Sequence, residues 1–407
     1  MDSVPSLEDF RRDARAWLRE HAEPLPVETG EWGVGSDSVA VFHDRTEPEE
    51  AAAVKRACDW HRVKLGAGWA ALSWPTVYGG RGLPVVYERA FATEEARFQV
   101  PPVPEALTIT LSLVAPTIET LGTIEQKSTF IRPFVRADLL CCQLFSEPDA
   151  GSDLASVSCR AVRTGDAWVL SGQKVWTSGA QQSDYGLLIA RSDPTSAKHH
   201  GMTAFLVPLD AEGVEVRPIR QMTGGASFNE VFLNDVEVHD DLRLGDEGDG
   251  WRVALTVLGF ERSVSGDGAG GVGGSWTQVL ALARHLDLTS DAVSRQRLAH
   301  LYTRTTLLDL MNERTRGALA AGQEPGVVGS ISKLFWVQTM TETSHVVSGL
   351  LGPRLVADTE EWGTYAWSEH VLGAPGYRIA GGSDEIQRNI IGERVLGLPR
   401  EPKTASG

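Results

Sequence analysis

The hydrophobic pattern of this chain changes its period twice, and that change constrains the fold more than any other feature of the sequence. Over residues 6–21, apolar side chains recur every three or four positions, which is typical of one face of an amphipathic helix. From Cys141 the pattern becomes a series of short β-rich runs separated by Gly, Pro, Asp and Asn. After Gly245 the helical period returns. This order predicts an α+β fold in which helical domains precede and follow a β-domain.

The same pattern predicts where the individual elements lie. Ser6 provides an N-cap for the first helix, and Asp9 lies in its first turn. Helices are predicted over residues 6–21, 47–66, 84–98, 104–135, 249–264, 276–286, 291–322, 327–351 and 384–396. Strands are predicted at Val157–Arg163, Ala167–Ser171, Tyr185–Arg191, Thr203–Val207, Val214–Pro218, Glu230–Leu233 and Val236–Val238. They occupy about 100 residues, which suits a small barrel or sandwich.

Composition excludes several classes of function. The 407 residues include 38 basic and 54 acidic side chains, and the net charge of −16 disfavours binding to nucleic acid. Four cysteines, two of them adjacent at Cys141 and Cys142, form neither a disulfide framework nor a CxxC pair. The N-terminal segment lacks a signal-peptide pattern, and no apolar run reaches the ~18 residues of a membrane helix. We therefore expect a soluble, cytoplasmic enzyme without nucleic-acid or membrane partners.

Two segments carry the clearest signal of a ligand site. Gln143–Asp153 (QLFSEPDAGSD) is a polar loop whose amides and hydroxyls suit a polar ring or a phosphate. In Ser171–Ser178 (SGQKVWTS), strand alternation places Trp176 and Ser178 on one face, where they could support a flat heterocycle. The alternative, an ordinary hairpin with a core tryptophan, agrees equally well with the residues alone.

These two segments, with three others, resemble the flavin-dependent acyl-CoA dehydrogenase family. The others are Phe228–Val238 (FNEVFLNDVEV), Gly248–Trp251 (GDGW) and Gly381–Leu398 (GGSDEIQRNIIGERVLGL), and the resemblance spans nearly the whole chain. It implies an N-terminal α-helical domain at 1–136, a central β-barrel domain at 137–245 and a C-terminal four-helix bundle domain at 246–407. It also implies a non-covalent FAD between barrel and bundle, completed by a neighbouring subunit of a homodimer or homotetramer.

The resemblance assigns cofactor and substrate roles to individual residues. The implied FAD-binding residues are Gln143, Phe145, Ser146, Ser152, Trp176, Ser178, Ser383 and Glu385. Among them, Trp176 matches the aromatic residue that flanks the isoalloxazine, and Ser178 matches the hydroxyl near flavin N5. Ser152 also matches a residue that lies near the CoA chain of the substrate.

The catalytic base departs from the commonest family pattern. The usual glutamate belongs to a Tyr-Glu-Gly-Thr tetrad, and this chain has Ala-Gly-Gly-Ser there, so Gly381 stands at the position of the base. Isovaleryl-CoA dehydrogenases instead carry the base before an arginine on the first helix of the last domain, which Glu261 and Arg262 match. Glu261 follows an apolar helix face, and partial burial would make its carboxylate more basic. The alternative is an exposed Glu–Arg pair on a helix surface.

The resemblance therefore implies FAD-dependent α,β-dehydrogenation of an acyl-CoA thioester to the 2-enoyl-CoA. Glu261 would remove the α-proton, and the β-hydrogen would pass as hydride to flavin N5. Arg262 and the backbone N–H of Gly381 would lie at the thioester end, and an electron-transfer flavoprotein would accept the electrons. The glycine at 381 also suggests room for acyl groups that are branched or ringed near the thioester.

Two alternatives to this function stay open. One is a flavin monooxygenase on the same fold, and the other is a non-catalytic subunit that pairs with an active paralogue in a heterotetramer. The second is favoured by a further departure: the arginine that clamps a partner's FAD pyrophosphate in the family falls at His285, with Arg284 adjacent. In addition, six glycines between Gly266 and Gly274 predict a helix break, a mobile loop or close helix packing, because each costs a helix roughly 1 kcal/mol.

Overall fold

The computed structural model describes residues 4–25, 32–196, 198–265, 272–320 and 328–400, which form two compact units. The first unit comprises Met1–Pro26, Arg45–Gln221 and Ala226–Phe260, and the second comprises Val27–Asp44, Met222–Gly225 and Glu261–Gly407. Each unit has its own hydrophobic clusters. None of the helices among these residues is both long enough and apolar enough to span a bilayer.

The first unit opens with a helical region, as the sequence predicts. Helix α1 begins where Ser6 Oγ accepts the N–H of Asp9 at 3.1 Å, and it buries Phe10, Ala14 and Leu18. The helices are α1 Leu7–His21, α2 Glu47–Gly66, α3 Val86–Glu95, α4 Glu105–Ile109, α5 Ala115–Leu121, α6 Ile124–Gln126 and α7 Arg132–Val135, with π-helical turns at Thr110–Val114 and Lys127–Ile131. The helix predicted over 104–135 is interrupted at Gly122, because Thr123 caps a new helix there.

The remainder of this unit is built on a mixed sheet of eight strands. They are β1 Cys141–Leu144, β2 Arg160–Thr164, β3 Ala167–Ser178, β4 Tyr185–Arg191, β5 Met202–Pro208, β6 Val214–Ile219, β7 Phe228–His239 and β8 Arg243–Leu244. The order is β6-β7-β3-β2-β4-β5-β8, and β1 pairs with β4 in parallel. Strands β6 and β8 end this order without pairing to each other, so the described strands form an open sheet rather than the closed barrel that was predicted.

Strands β3 and β7 are longer than the sequence pattern indicates. The separate strands predicted at Glu230–Leu233 and Val236–Val238 are wrong, because β7 continues through Asp235. Asp235 has φ +54°, and the pairing with β3 shifts register opposite it, between Leu170 and Gly172. A left-handed residue beside a β-bulge therefore kinks the strand without ending it, although the same residues resemble a turn in the sequence.

The second unit is mostly helical. Helix α8, Gly250–Ser265, begins in the first unit and continues into the second from Glu261. It is followed by α9 Trp276–His285, α10 Ala292–Ala320, α11 Val328–Leu351, α12 Trp367–Tyr377 and α13 Asp384–Ile390. Helix α10 packs on α11, and α11 packs on α12 and α13. The sequence did not predict α12, because it contains Pro375 between two glycines, which usually marks a break. The α+β class with helices before and after the sheet is confirmed.

Only the last part of the glycine-rich segment is described, and residues 272–275 in it are not helical. Helix α8 ends at Ser265 and α9 begins at Trp276, whereas residues 266–271 lie outside the described residues. Gly273 and Gly274 have φ +82° and +83°. A Cβ atom at Gly273 would lie 2.9 Å from His370 Nδ1, and one at Gly274 would lie 2.8 Å from the ring of Trp367. Close packing against α12 therefore excludes side chains at these two positions.

Candidate active site

The predicted site residues fall into two groups, one in each unit. The first unit contains Gln143, Phe145, Ser146, Ser152, Trp176 and Ser178. The second unit contains Glu261, Arg262, Gly381, Ser383 and Glu385. These groups lie on β1, the loop after it and β3 in one unit, and on α8 and the start of α13 in the other.

In the first unit, a buried lysine fixes the backbone of the predicted flavin loop. Lys174 on β3 is fully buried, and its Nζ donates to the carbonyl oxygens of Phe145 at 3.0 Å and Ile189 at 2.8 Å. The N–H of Val175 donates to the carbonyl of Ser146 at 2.9 Å. The loop that follows β1 is therefore bonded directly to β3, and its carbonyl groups have fixed directions.

Glu147 neutralises the buried charge of Lys174. Its Oε1 accepts from Lys174 Nζ at 2.7 Å, and the backbone N–H groups of Ser158 and Cys159 donate to the same carboxylate at 2.7 and 2.9 Å. Burial by itself would raise the pKa of Glu147, but the ion pair and these hydrogen bonds outweigh burial, so the pKa lies below its usual range. Both residues belong to the segments that suggested a ligand site, yet no local pattern indicates that they pair with each other.

The remaining loop residues differ in what they can offer a ligand. The side chain of Phe145 packs in the main hydrophobic cluster of this unit, so only its backbone is available. Gln143 is half-buried at the end of β1, in register with Leu187 of β4. Ser146 is half-buried, and Ser152 is exposed in the turn beyond it. Polar contacts from this loop would therefore come from Gln143, Ser146, Ser152 and backbone N–H groups.

Trp176 is an exposed aromatic residue in a strained backbone position. Its side chain is 60% exposed, and its ring meets Phe228 edge-on with the centroids 6.2 Å apart. This exposure excludes the alternative of a core tryptophan. Trp176 has φ +60° within a register shift between Lys174 and Thr177. Thr177 is buried, whereas Trp176 is exposed and Ser178 is half-buried, so a shared face for Trp176 and Ser178 stays a prediction.

Ser178 contacts a carboxylate that sequence reasoning missed. The side chain of Glu105, the first residue of α4, hydrogen-bonds with the Ser178 side chain. The surrounding protein raises the pKa of Glu105, and the bond with Ser178 opposes that rise only in part. The residue as a whole is nevertheless exposed. The end of β3 packs tightly on α4, since a Cβ atom at Gly179 would lie 2.7 Å from Ala106 Cβ.

In the second unit, Glu261 and Gly381 lie side by side, although they are far apart in the sequence. A Cβ atom built at Gly381 would lie 3.2 Å from Oε1 of Glu261. Glu261 is half-buried on α8, as its place after an apolar face predicted. The carboxylate on α8 therefore reaches the space into which a side chain at 381 would project.

The loop that carries Gly381 is held by two side chains. Gln387 Nε2 donates to the carbonyl of Gly381 at 2.9 Å, and Lys333 Nζ on α11 donates to the carbonyl of Gly382 at 2.8 Å. Gly381 and Gly382 have φ +63° and +88°, a left-handed conformation that favours glycine. Among the described residues, the N–H of Gly381 makes no hydrogen bond. The loop thus turns its carbonyls towards Lys333 and Gln387.

Ser383 and Glu385 occupy the first turn of α13. Ser383 is the N-cap, and its Oγ accepts the N–H of Ile386 at 3.4 Å. Next to it, Asp384 is 2% exposed and accepts from Arg378 at 2.7 Å. Glu385 is exposed, and hydrogen bonds from its own backbone N–H and from Ser383 lower its pKa. Capping thus already engages the Ser383 hydroxyl, whereas Glu385 projects from the surface.

Arg262 and His285 are two further positions singled out by the family resemblance. Arg262 lies on α8, but its side chain is outside what the structure describes. His285, at the position of the family's clamping arginine, stacks on Trp32 at 4.2 Å, and its Nε2 lies 2.9 Å from Oε1 of Glu361. That carboxylate belongs to a recess lined by acidic side chains, among them Asp37, Asp44, Asp358, Glu360, Glu361 and Glu369. Negative charge around His285 makes this region unsuited to a pyrophosphate.

Family models match almost the whole chain. The acyl-CoA dehydrogenase N-terminal domain matches residues 5–138, the middle domain residues 142–236 and the C-terminal domain residues 248–396. With the helical, β and helical order and with a carboxylate beside Gly381, these matches show that the chain belongs to the acyl-CoA dehydrogenase family. It is an enzyme of the acyl-CoA dehydrogenase class, and family membership implies a flavin cofactor.

Similar proteins include curated relatives from mycobacteria and solved heteromeric complexes. The acyl-CoA dehydrogenase IpdE1 of Mycobacterium tuberculosis is 38% identical over 403 residues, which cover 98% of this chain and 100% of the relative. IpdE1 of Mycolicibacterium smegmatis is 36% identical over 410 residues, with 98% and 99% covered. The steroid ACAD Tcur3481-Tcur3483 has a TM-score of 0.77 at 27% identity, with 98% and 100% covered. The ChsE4-ChsE5 complex of M. tuberculosis has a TM-score of 0.73 at 28% identity, with the same coverage.

Proposed function

We propose that this chain catalyses the FAD-dependent α,β-dehydrogenation of an acyl-CoA thioester, with Glu261 as the catalytic base. The observation that carries the proposal is the 3.2 Å separation between Glu261 Oε1 and the position of a Cβ atom at Gly381. In the family the residue at that position commonly supplies the base. A carboxylate that approaches the same space from α8 compensates for the glycine.

The residues of the second unit suit the two demands of the reaction. Glu261 accepts the α-proton of the acyl group, and FAD, when bound, would supply the acceptor for the β-hydrogen. As the α-proton leaves, negative charge develops on the thioester oxygen, and a fixed donor there lowers the barrier. The N–H of Gly381 suits that task, because Gln387 and Lys333 hold the loop by its carbonyls. Arg262 is proposed to lie at the same end of the substrate.

The first unit has the features that a flavin needs. Trp176 offers an exposed aromatic ring on β3, the strand to which Lys174 fixes the loop after β1. We assign FAD binding to Gln143, Ser146, Ser152, Trp176 and Ser178, and to the backbone of Phe145. Ser383 and Glu385 of the second unit are assigned to the same cofactor.

We further propose that the acyl group is branched or cyclic near the thioester. Glycines at 381 and 382 present backbone only, so the loop leaves more space than a glutamate at 381 would. Similarity to complexes described as steroid ACADs supports the same inference, because a steroid is a bulky ring system.

The proposed assembly is a heterotetramer with a paralogue, and a homodimer or homotetramer is the alternative. His285 is paired with Glu361 where the family places an arginine that clamps the FAD of a partner. A second copy of this chain would therefore supply a poor clamp, whereas a paralogue with the arginine would supply a good one. Similarity to the ChsE4-ChsE5 complex agrees with this proposal. An electron-transfer flavoprotein in the cytoplasm is the proposed electron acceptor.

The decisive variant is Glu261→Gln. Glutamine keeps the shape of the side chain but accepts no proton, so we expect loss of at least a hundredfold in the rate of flavin reduction. The measurement is anaerobic bleaching of the FAD-loaded protein by butyryl-, octanoyl-, isobutyryl- and cyclohexanecarbonyl-CoA. The matched control is Glu313→Gln, an exposed residue of α10, which should reduce at the wild-type rate.

The outcomes separate the competing functions. If Glu261→Gln retains more than a tenth of the wild-type rate, the base lies elsewhere. Flavin that no acyl-CoA bleaches but that a separate reductase reduces would indicate a monooxygenase. A chain that stays colourless after incubation with FAD, alone and with a paralogue, would indicate a non-catalytic subunit.

A further inference from the structure

Lys333 is a lysine beside the Gly381–Gly382 loop, and the reaction proposed above assigns no task to its charge. It lies near the start of α11, it is half-buried, and its Nζ donates to the carbonyl of Gly382 at 2.8 Å. Burial lowers the pKa of Lys333, which neighbouring carboxylates partly offset. A lysine that gives up hydration for one carbonyl bond needs compensation from negative charge nearby.

Carboxylates on the elements around the Gly381–Gly382 loop provide this negative charge. Three carboxylates attract the ammonium of Lys333: Asp384 has the largest effect, then Glu261 and Glu385, whereas Arg378 repels it. Asp384 Oδ2 is bonded to Arg378, while its buried Oδ1 has no hydrogen-bond partner among the described residues. Lys333 therefore shares an electrostatic cluster with the proposed base and with the first turn of α13.

Lys333 and Gln387 hold the glycine loop from two helices. Gln387 on α13 donates to the carbonyls of Gly381 at 2.9 Å and Gly382 at 3.3 Å, and Lys333 on α11 donates to the second of these. Two successive glycines in the left-handed region have much conformational freedom, so the loop depends on such bonds for one orientation. The same bonds hold the two peptide groups that follow the Gly381 N–H and so restrict the loop that carries it.

We infer that Lys333 is a positioning residue, which orients the Gly381–Gly382 loop through the Gly382 carbonyl and stabilises the ionised form of Glu261. This inference rests on the proposed function, because it assigns the loop and Glu261 their catalytic tasks. The positive charge keeps the carboxylate ionised and able to accept a proton. The hydrogen bond to the Gly382 carbonyl restricts the loop that carries the Gly381 N–H, the proposed donor to the thioester oxygen.

The test is the pH profile of flavin reduction for Lys333→Met, with the fastest acyl-CoA of the four-member panel as the probe. Removal of the ammonium raises the apparent pKa of the base by roughly one unit, because a nearby opposite charge favours the ionised form. The limiting rate at high pH should fall by roughly tenfold to a hundredfold as the loop loses its orientation, with acyl-CoA affinity changed less than threefold. Lys333→Arg should recover most of the rate and the wild-type pH profile.

The controls distinguish this inference from the proposed function. Lys55→Met removes one exposed positive charge of α2 and should change neither rate nor pH profile. If wild type is reduced and Glu261→Gln is inactive, an unshifted profile in Lys333→Met overturns the inference alone. If no acyl-CoA reduces the wild type, the proposed function itself fails. Should Lys333→Met not fold, Lys333→Gln carries the test, because glutamine keeps a donor and removes the charge, so it must still shift the pH profile.

Discussion

At the scale of single residues, the backbone conformation and surroundings of Gly381 limit which side chains this position tolerates. It has φ +63°, and a Cβ atom there would approach Glu261 Oε1 to 3.2 Å. A larger side chain at 381 would thus press on the proposed base before it narrowed any acyl pocket. Substitution of Gly381 by leucine would harm all substrates alike, so the steric proposal is better tested on the wild type, as a preference in kcat/KM for cyclic over straight-chain acyl-CoA.

The prediction for Gly381→Ala follows from the same two facts. We expect the free energy of unfolding to fall by about 1–2 kcal/mol, because an L-residue is strained in the left-handed region. We also expect flavin reduction to slow by roughly tenfold or more for every acyl-CoA, because the carboxylate of Glu261 is displaced. Urea denaturation and stopped-flow bleaching measure the two effects. Gly317→Ala, in open space on α10, is the control and should not destabilise.

Glu147 leads to a prediction about pH. The pKa of Glu147 is lowered in the folded chain, so its contribution to stability is complete above the ordinary glutamate pKa of ~4.3 and is lost as the pH falls through the folded value. Glu147→Gln should cost about 3–5 kcal/mol at pH 7, because Lys174 stays buried without a counter-ion. As the pH drops below ~4.3, the free energy of unfolding of this variant should also fall less steeply than that of the wild type.

Urea denaturation at several pH values tests the role of the pair. The double variant Glu147→Gln with Lys174→Met is the control, since it removes the buried charge as well and should regain part of the lost stability. A single variant as stable as wild type at pH 7 would show that the ion pair contributes little.

At the scale of elements, strand β3 carries two tryptophans with different surroundings: Trp168 is buried, and Trp176 lies exposed at the bulge. Trp176→Ala should lower the free energy of unfolding by less than about 1 kcal/mol, because the side chain is 60% exposed. Trp168→Ala should cost about 3–5 kcal/mol, because Trp168 is 1% exposed and packs against Phe205. If Trp176 supports the flavin, its variant alone should release FAD from an otherwise stable protein, as measured by absorbance after gel filtration. Equal loss of stability in both variants would contradict this assignment.

At the scale of the whole molecule, features that depend on local sequence patterns were predicted better than features that depend on long-range contacts. Burial repeats along a helix or a strand, so the change of period placed α1, the sheet and the later helices near their observed bounds. The open ends of the sheet and the contact between Lys333 and Gly382 depend on residues far apart in the chain, which no local period encodes. Helix α12 was missed for another reason, because its packing against α11 outweighs the proline within it.

The same distinction applies to the candidate site. Glu261 was expected from its helix face and from the family resemblance, and its place beside Gly381 agrees with that expectation. Lys174, Glu147 and Glu105 were not expected, because each acts through a partner on another element. Such pairs become visible only when the fold brings the elements together.

The bonds from Lys174 to the loop after β1 have a consequence for the time course of cofactor loading. Because the carbonyls of Phe145 and Ser146 are bonded to β3 by the fold itself, the loop needs no rearrangement when a ligand arrives. The entropy of ordering this segment is lost during folding and not during binding. We therefore expect variants of this loop to differ in cofactor affinity mainly through the dissociation rate.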